Sequence, residues 1–163
     1  MAAGNTYVAL ATQTLGSAAA SVTFSSISGV YTDLVLVVAS VDLSGASNCR
    51  YYYNSDNSSG LYSRTTLANS GASAISSRAT ASNYNFAAYA TPTQGINIIN
   101  IFNYANTNVF KTSIIRGGNA DDSTLTRVNL WRNTNAITSV TVDTDGNQWV
   151  AGTIFSLYGI AAA

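Results

Sequence analysis

The amino-acid sequence predicts an all-β protein, an antiparallel β-sandwich that is jelly-roll-like and has long irregular loops. Thr, Val, Ile and Tyr are abundant, and these residues suit pleated, half-buried surfaces. The chain has one lysine and no glutamate, so it lacks the residues that usually cover exposed helix faces. Strand-like segments recur roughly every 10–15 residues with no helical pattern between them, which indicates a sandwich or barrel. The length of 163 residues fits a single domain, 1–163.

The first half of the chain contains five predicted strands, separated by runs of Gly, Ser and Asn that favour turns. The predicted strands are Tyr7–Thr14, Ser21–Phe24, Thr32–Val41, Asn48–Asn54 and Leu61–Leu67. The third strand is unusual because the run Leu34 to Val38 is apolar on both faces. We expect it to be covered on both sides, by the sandwich core on one side and by a loop or another subunit on the other.

The region from residue 68 to residue 95 has no clear pattern. Ala, Ser and Asn dominate it, and neither the helical nor the strand period persists. This composition predicts long irregular excursions, with one short helix as an option, and a place where contacts with other molecules are made.

Regular strands return in the last third of the chain, at Ile96–Tyr104, Val109–Arg116 and Leu125–Arg132. Two further segments, Ile137–Asp143 and Gly152–Ile160, flank the turn signal Thr144-Asp145-Gly146-Asn147. Alternating apolar residues around an Asp-Gly step are a strong hairpin signal. The sequence therefore predicts a closing β-hairpin, followed only by Ala161–Ala163 and by no second domain.

The charge content of the chain is unusually low. Only 9% of the residues are charged and the formal net charge is zero, whereas soluble proteins are typically about 25% charged. The six arginines are scattered among seven aspartates, which argues against a nucleic-acid partner. The longest strongly apolar stretch, Leu34–Ala39, is too short for a membrane span. We expect much of the surface to be covered by neighbouring proteins.

The sequence offers little chemistry for catalysis or metal binding. Histidine and glutamate are absent, which excludes Ser-His-Asp and Cys-His sites. The single cysteine, Cys49, excludes the usual structural zinc sets and is expected to be a buried thiol. Asp121-Asp122 and the pair Asp143 and Asp145 are interpreted as turn aspartates, although the latter resemble half of a calcium loop. We predict no enzyme activity, no catalytic residue, no cofactor and no metal.

Seven residues are predicted to contact other proteins. They are Tyr7, Val35, Val37, Tyr51, Tyr53, Tyr62 and Tyr84. The valines belong to the strand that is apolar on both faces. The tyrosines combine an apolar ring with a polar tip, which suits packing in the core, a protein interface or a glycan site, and all three alternatives remain open. Residues 1–6, which lack the features of a signal peptide, form either an extended N-terminal arm or a frayed end.

Three segments also occur in a recognisable order. They are Val30–Val37 (Val-Tyr-Thr-Asp-Leu-Val-Leu-Val), Trp131–Val140 and Gly152–Ile160. Together they resemble small structural proteins of tailed bacteriophages, including phages that infect cyanobacteria. The resemblance spans most of the chain, but residues 45–95 do not contribute to it.

The resemblance implies a jelly-roll virion component, a capsid decoration (cement) protein that bridges and stabilises neighbouring capsomers. Its implied partner is the major capsid protein and its implied oligomer is a homotrimer. It would be made in the host cytoplasm and would reside on the capsid exterior of the virion. No catalytic residue is implied. Similar segments occur at the ends of longer tail or fibre proteins, so the alternative is a receptor-binding module that recognises a host-surface glycan.

Overall fold

The computed structural model describes residues 6–40, 47–71, 73–90, 94–119 and 123–161. These residues form strands and connecting turns, with no helix among them. The strands make two antiparallel sheets that pack against each other, which confirms the predicted all-β sandwich. The jelly-roll connectivity remains a prediction. Residues 1–5 of the predicted N-terminal arm lie outside the described residues.

The described residues contain twelve strands. They are β1 Tyr7–Thr14, β2 Ser21–Phe24, β3 Asp33–Ser40, β4 Ser47–Tyr53, β5 Tyr62–Asn69, β6 Ala74–Ser82, β7 Asn85–Ala90, β8 Gly95–Phe102, β9 Lys111–Gly118, β10 Thr124–Trp131, β11 Val140–Thr144 and β12 Ile154–Ile160. The larger sheet has eight strands in the order β1-β12-β3-β8-β9-β10-β5-β6. The smaller sheet has four strands in the order β2-β11-β4-β7.

The core lies between the two sheets and follows the two-residue period of the strands. Along β3, Leu34, Leu36 and Val38 are fully buried and face the smaller sheet. On the smaller sheet, Val140 and Val142 of β11 are also fully buried. Alternation thus directs one face of each strand inward, as expected for stacked antiparallel sheets.

The predicted closing hairpin is wrong, although the turn that suggested it exists. Gly146 has a φ of +87°, and its N–H donates to the carbonyl of Thr144 at 3.0 Å. However, β11 pairs with β2 and β4 in the smaller sheet, whereas β12 pairs with β1 and β3 in the larger sheet. After the turn, the chain crosses between the sheets through residues 145–153, where Trp149 is fully buried.

The prediction for residues 68–95 is also corrected. The described part contains two strands, β6 and β7, and no helix. Strand β6 is the edge of the larger sheet and is exposed along almost all of its nine residues. Because neither face of β6 is buried, its sequence does not need apolar residues at every second position. The usual sequence signal of a strand is therefore missing.

Candidate functional site

Three of the seven predicted interface residues lie in the core rather than on the surface. Tyr51 and Tyr53 of β4 and Tyr62 of β5 are buried, the latter two against Trp131 of β10. The ring centroids of Tyr53 and Trp131 are 5.4 Å apart, and the rings of Tyr62 and Trp131 stack at 6.4 Å. These tyrosines therefore pack the interior, and their rings offer no exposed surface to a protein or a sugar.

Burial also determines the ionisation of these hydroxyl groups. Tyr51 Oη lies 2.6 Å from Ser113 Oγ and accepts a hydrogen bond from Asn129 Nδ2 at 2.8 Å. Desolvation raises the pKa of Tyr51 to about 12 and also raises the pKa values of Tyr53 and Tyr62. The three hydroxyls remain neutral at ordinary pH and act as structural groups.

Tyr84, another tyrosine of the predicted set, is partly buried and lies beside two arginines. The guanidinium carbon of Arg50 is 4.9 Å from the centroid of the Tyr84 ring, and that of Arg64 is 5.8 Å away. Both distances are within the range of cation–π attraction. The Tyr84 ring is thus already engaged by cations of this chain.

The remaining predicted interface residues, Tyr7, Val35 and Val37, lie on one side of the larger sheet, where Tyr7 is exposed, Val37 is half-buried and Val35 is buried at 4% exposure. Val35 and Val37 are on the side of β3 opposite the core residues, and Val35 pairs in register with Tyr158 of β12. The rings of Tyr7 and Tyr158 meet edge to face at 6.3 Å. All of these residues therefore belong to the outer face of the larger sheet, the side turned away from the smaller sheet.

Apolar side chains extend across this outer face from β12 to β5. We call this set the outer apolar face, and it consists of Val37, Leu67, Ile96, Ile98, Ile114, Val128 and Ile154. Four of these side chains are 40–62% exposed, namely Leu67, Ile96, Val128 and Ile154. Arg116 and Thr126 stand between members of this set in register, and the exposed aliphatic side chains on either side of them suit contact with another protein.

The outer face of the smaller sheet is polar instead. Thr23 and Thr141 share a hydrogen bond of 2.9 Å between their hydroxyl groups. Arg50 Nε donates to Asp143 Oδ1 at 2.9 Å, and its Nη1 donates to Asp145 Oδ1 at 2.7 Å. Both carboxylates of the calcium-like segment therefore bind Arg50, but only Asp145 lies in the turn, because Asp143 belongs to strand β11.

Two buried cations were not identified from the sequence. Lys111 Nζ donates to the carbonyls of Asn106, Val109 and Thr134 at 2.6–2.9 Å, and desolvation lowers the pKa of Lys111. It thereby ties the segment that precedes β9 to the segment that follows β10. The alternation of polar and apolar residues alone gave no reason to place this lysine inside.

Arg127 of β10 is the second buried cation, and it joins the two sheets. Its Nε donates to Thr66 Oγ1 at 2.7 Å, and its Nη1 donates to the carbonyls of Phe86 and Ala87, each at 2.9 Å. The guanidinium carbon also lies 4.1 Å from the centroid of the Phe86 ring. The only signal in the sequence for the burial of Arg127 is that it lies on the same face of β10 as the buried residue Trp131.

The described residues contain no cluster of three or more His, Cys, Asp or Glu side chains that could hold a metal ion. Cys49 is buried, as predicted. Asp121 and Asp122 lie outside the described residues. Across the described ranges, no helix is long and apolar enough to cross a membrane.

Comparison of the chain with protein-family models, with curated proteins and with solved structures finds no match. The candidate site therefore rests on the geometry of this molecule, and its main feature is the outer apolar face.

Proposed function

We propose that this chain is a virion structural protein, a capsid decoration protein that bridges and stabilises neighbouring capsomers of a tailed phage head. Its partner is the major capsid protein, it acts as a homotrimer on the capsid exterior, and it has no enzymatic role. The observation that carries the proposal is the outer apolar face, exposed in a chain whose residues are only 9% charged. Such a surface gains free energy when another protein covers it.

The sequence resemblance adds support from a particular place in the fold. Two of the three segments that carry it, Val30–Val37 and Gly152–Ile160, include the paired strands β3 and β12. These strands contribute Val37 and Ile154 to the outer apolar face. The residues that resemble phage structural proteins are thus partly the residues that form the proposed contact surface.

A protein of this kind works mechanically. A capsid under internal pressure resists expansion better when a rigid piece links adjacent capsomers, because separating them requires breaking the added contacts. A trimer that binds at a local threefold axis benefits from multivalency, since the second and third contacts form at high effective concentration. Contacts made by aliphatic side chains depend little on salt, because they contain few charges to be screened.

The test is to locate the protein on purified particles and to measure its copy number. We expect cryo-electron microscopy to place it on the outside of the head, with a copy number comparable to that of the major capsid protein. Heads stripped of the protein should release DNA at a lower temperature than decorated heads. A copy number far below that of the major capsid protein, or a location on the tail, would contradict the proposal.

The alternative, a tail or fibre module that binds a host glycan, was expected to use Tyr51, Tyr53 and nearby loops. Both rings are buried, so a glycan would have to bind elsewhere. The alternative remains a prediction. It would be favoured if the purified protein blocked adsorption of the phage to its host.

A further inference from the structure

We propose that the outer apolar face is the surface through which this chain binds a second copy of itself. The inference rests on the proposed function in one respect, because it identifies which surface holds the copies of the decoration protein together. Another surface, which we do not assign, would then contact the capsid.

The size of the face is sufficient for a stable contact. The larger sheet has eight strands. With strands about 4.8 Å apart and about seven residues per strand at about 3.3 Å each, its outer face covers roughly 900 Å² in projection. A specific interface buries about 800 Å² on each partner. A second copy can therefore cover the aliphatic side chains without any other element taking part.

The shape of the face includes both a projection and a depression. Leu67 on β5 is the most exposed aliphatic residue of the set, at 62%. Over β8 lies a shallow depression of about 620 Å³, whose lining includes Ile96, Ile98, Arg116 and Gly118. A leucine side chain of one copy can enter the depression of the other, where it would contact two isoleucines.

Position 118, in the lining of this depression, requires a glycine. Gly118 has a φ of +142°, and a Cβ atom built on it would lie 2.0 Å from the carbonyl oxygen of Ser123. No other residue fits the backbone there without rearrangement. Because the projection and the depression lie at different places on one face, the contact is either reciprocal between two copies or repeated around a ring of three.

The charges on this face also favour a second copy as the occupant. Arg116 is exposed and lies between Ile98 and Thr126 in register across the sheet. Asp33 is at the start of β3 on the same side. Asp33 Oδ1 accepts a hydrogen bond from the N–H of Asn103 at 2.7 Å, and a copy that faces another copy offers one such aspartate for each arginine, whereas a partner with strong charge of one sign would repel one of the two. Arg78 lies on the edge strand β6, beyond the charged residues Arg116 and Asp33.

The experiment measures the mass of the full chain in solution by sedimentation equilibrium over a wide range of protein concentration. The test variants are Leu67→Asp and Ile96→Asp, and the matched control is Thr23→Asp, an exposed position on the polar outer face of the smaller sheet. Circular dichroism and thermal unfolding establish that each variant is folded. We expect a dimer or trimer for the unsubstituted protein and for Thr23→Asp. We expect self-association about tenfold weaker or more for each test variant.

Three results would overturn the inference. The first is a monomer at every concentration for the unsubstituted protein. The second is an equal effect of Leu67→Asp and Thr23→Asp on self-association. The third is a Leu67→Asp variant that self-associates as the unsubstituted protein does but loses binding to stripped heads, because the face would then contact the capsid instead.

The same variants separate this inference from the proposed function. A protein that decorates heads but remains a monomer in solution would retain the decoration function without the homotrimer in solution, and it would refute the self-association surface. A protein that self-associates through the outer apolar face but is absent from heads would retain the surface and refute the function.

Discussion

The two halves of the sandwich interior are built differently. Beneath β3 and β12 the buried side chains are almost entirely apolar, with Leu36, Phe155 and Leu157 fully enclosed. Beneath β9 and β10 the interior also contains Arg127 and Asn129, both buried. We call these the apolar half and the polar half. Their difference indicates that apolar packing holds the sheets together in one half and that buried polar side chains contribute in the other. Each of these interactions can be tested separately.

The polar half fixes strand β7 to the larger sheet through hydrogen bonds. This strand is an edge of the smaller sheet and pairs only with β4. Arg127 and Asn129 both donate hydrogen bonds to the carbonyl of Phe86 in β7. Directional hydrogen bonds can fix the position of an edge strand in a way that non-directional apolar packing cannot.

The largest effect is expected from opening a cavity in the apolar half. Leu36→Ala should lower the free energy of unfolding by about 3–4 kcal/mol, because Leu36 is fully buried at the centre of the larger sheet. Urea denaturation measures this change. The control is Val30→Ala, since Val30 is 75% exposed and its truncation should cost less than about 0.5 kcal/mol. Similar losses for the two variants would contradict the packing described for this half.

The second effect concerns the polar half. Arg127→Met should lower the free energy of unfolding by about 2–3 kcal/mol, because it removes the guanidinium donor from the buried carbonyl of Ala87 and the hydroxyl of Thr66, while Asn129 still donates to the carbonyl of Phe86. Hydrogen exchange should increase along β7 more than along β12. Arg78→Met, at an exposed position on β6, serves as the control. A neutral or stabilising Arg127→Met would show that apolar packing alone holds the sheets together.

The third effect is a loss of stability at alkaline pH that arises at Tyr51 in the polar half. Burial raises the pKa of Tyr51 to about 12, whereas that of an exposed tyrosine is about 10. Between these values the unfolded chain loses the proton and the folded chain keeps it. Stability is therefore complete below pH of about 10 and falls by about 2 kcal/mol as the pH approaches 12. Tyr51→Phe should reduce this pH dependence, and an unchanged dependence would argue against a buried Tyr51.

The smallest effect is expected from a single hydroxyl group. Ser113→Ala removes one hydrogen-bond partner of Tyr51 Oη, but Asn129 Nδ2 continues to donate to that oxygen. The expected loss is about 1 kcal/mol, measured by urea denaturation. Ser76→Ala, at an exposed position on β6, should change stability by less than about 0.5 kcal/mol. A larger loss for Ser76→Ala than for Ser113→Ala would contradict the assignment of this hydrogen bond.

The sequence was sufficient to predict the fold class and most of the strands. The bounds of β1 and β2 agree with the prediction, because these strands alternate and end at Gly or Ser turns. The apolar run in β3 correctly indicated a strand whose second face is also apolar. The closing hairpin failed because a turn signal specifies only a local reversal, and it does not specify which sheet each flanking strand joins.

The site was harder to predict than the fold. The two-residue period of β10 correctly placed Arg127 on the same face of the strand as Trp131. Nothing in the sequence indicated that this face, the more polar of the two, would face inward. The tyrosines of β4 were ambiguous for a related reason, since an aromatic ring with a hydroxyl suits a core and an interface equally well. The outer apolar face became apparent only when five or more strands had been aligned in register.

The burial of Lys111 has a practical consequence. It is the only lysine of the chain, and its side chain is 1% exposed with all three ammonium hydrogens engaged by carbonyl oxygens. Reagents that couple to primary amines, such as succinimidyl esters and glutaraldehyde, should therefore leave the folded protein almost unlabelled away from its N-terminus. Cross-linking of the folded protein will need chemistry directed at tyrosine or carboxylate groups, and a molecule that does take up an amine reagent at Lys111 can be recognised as unfolded.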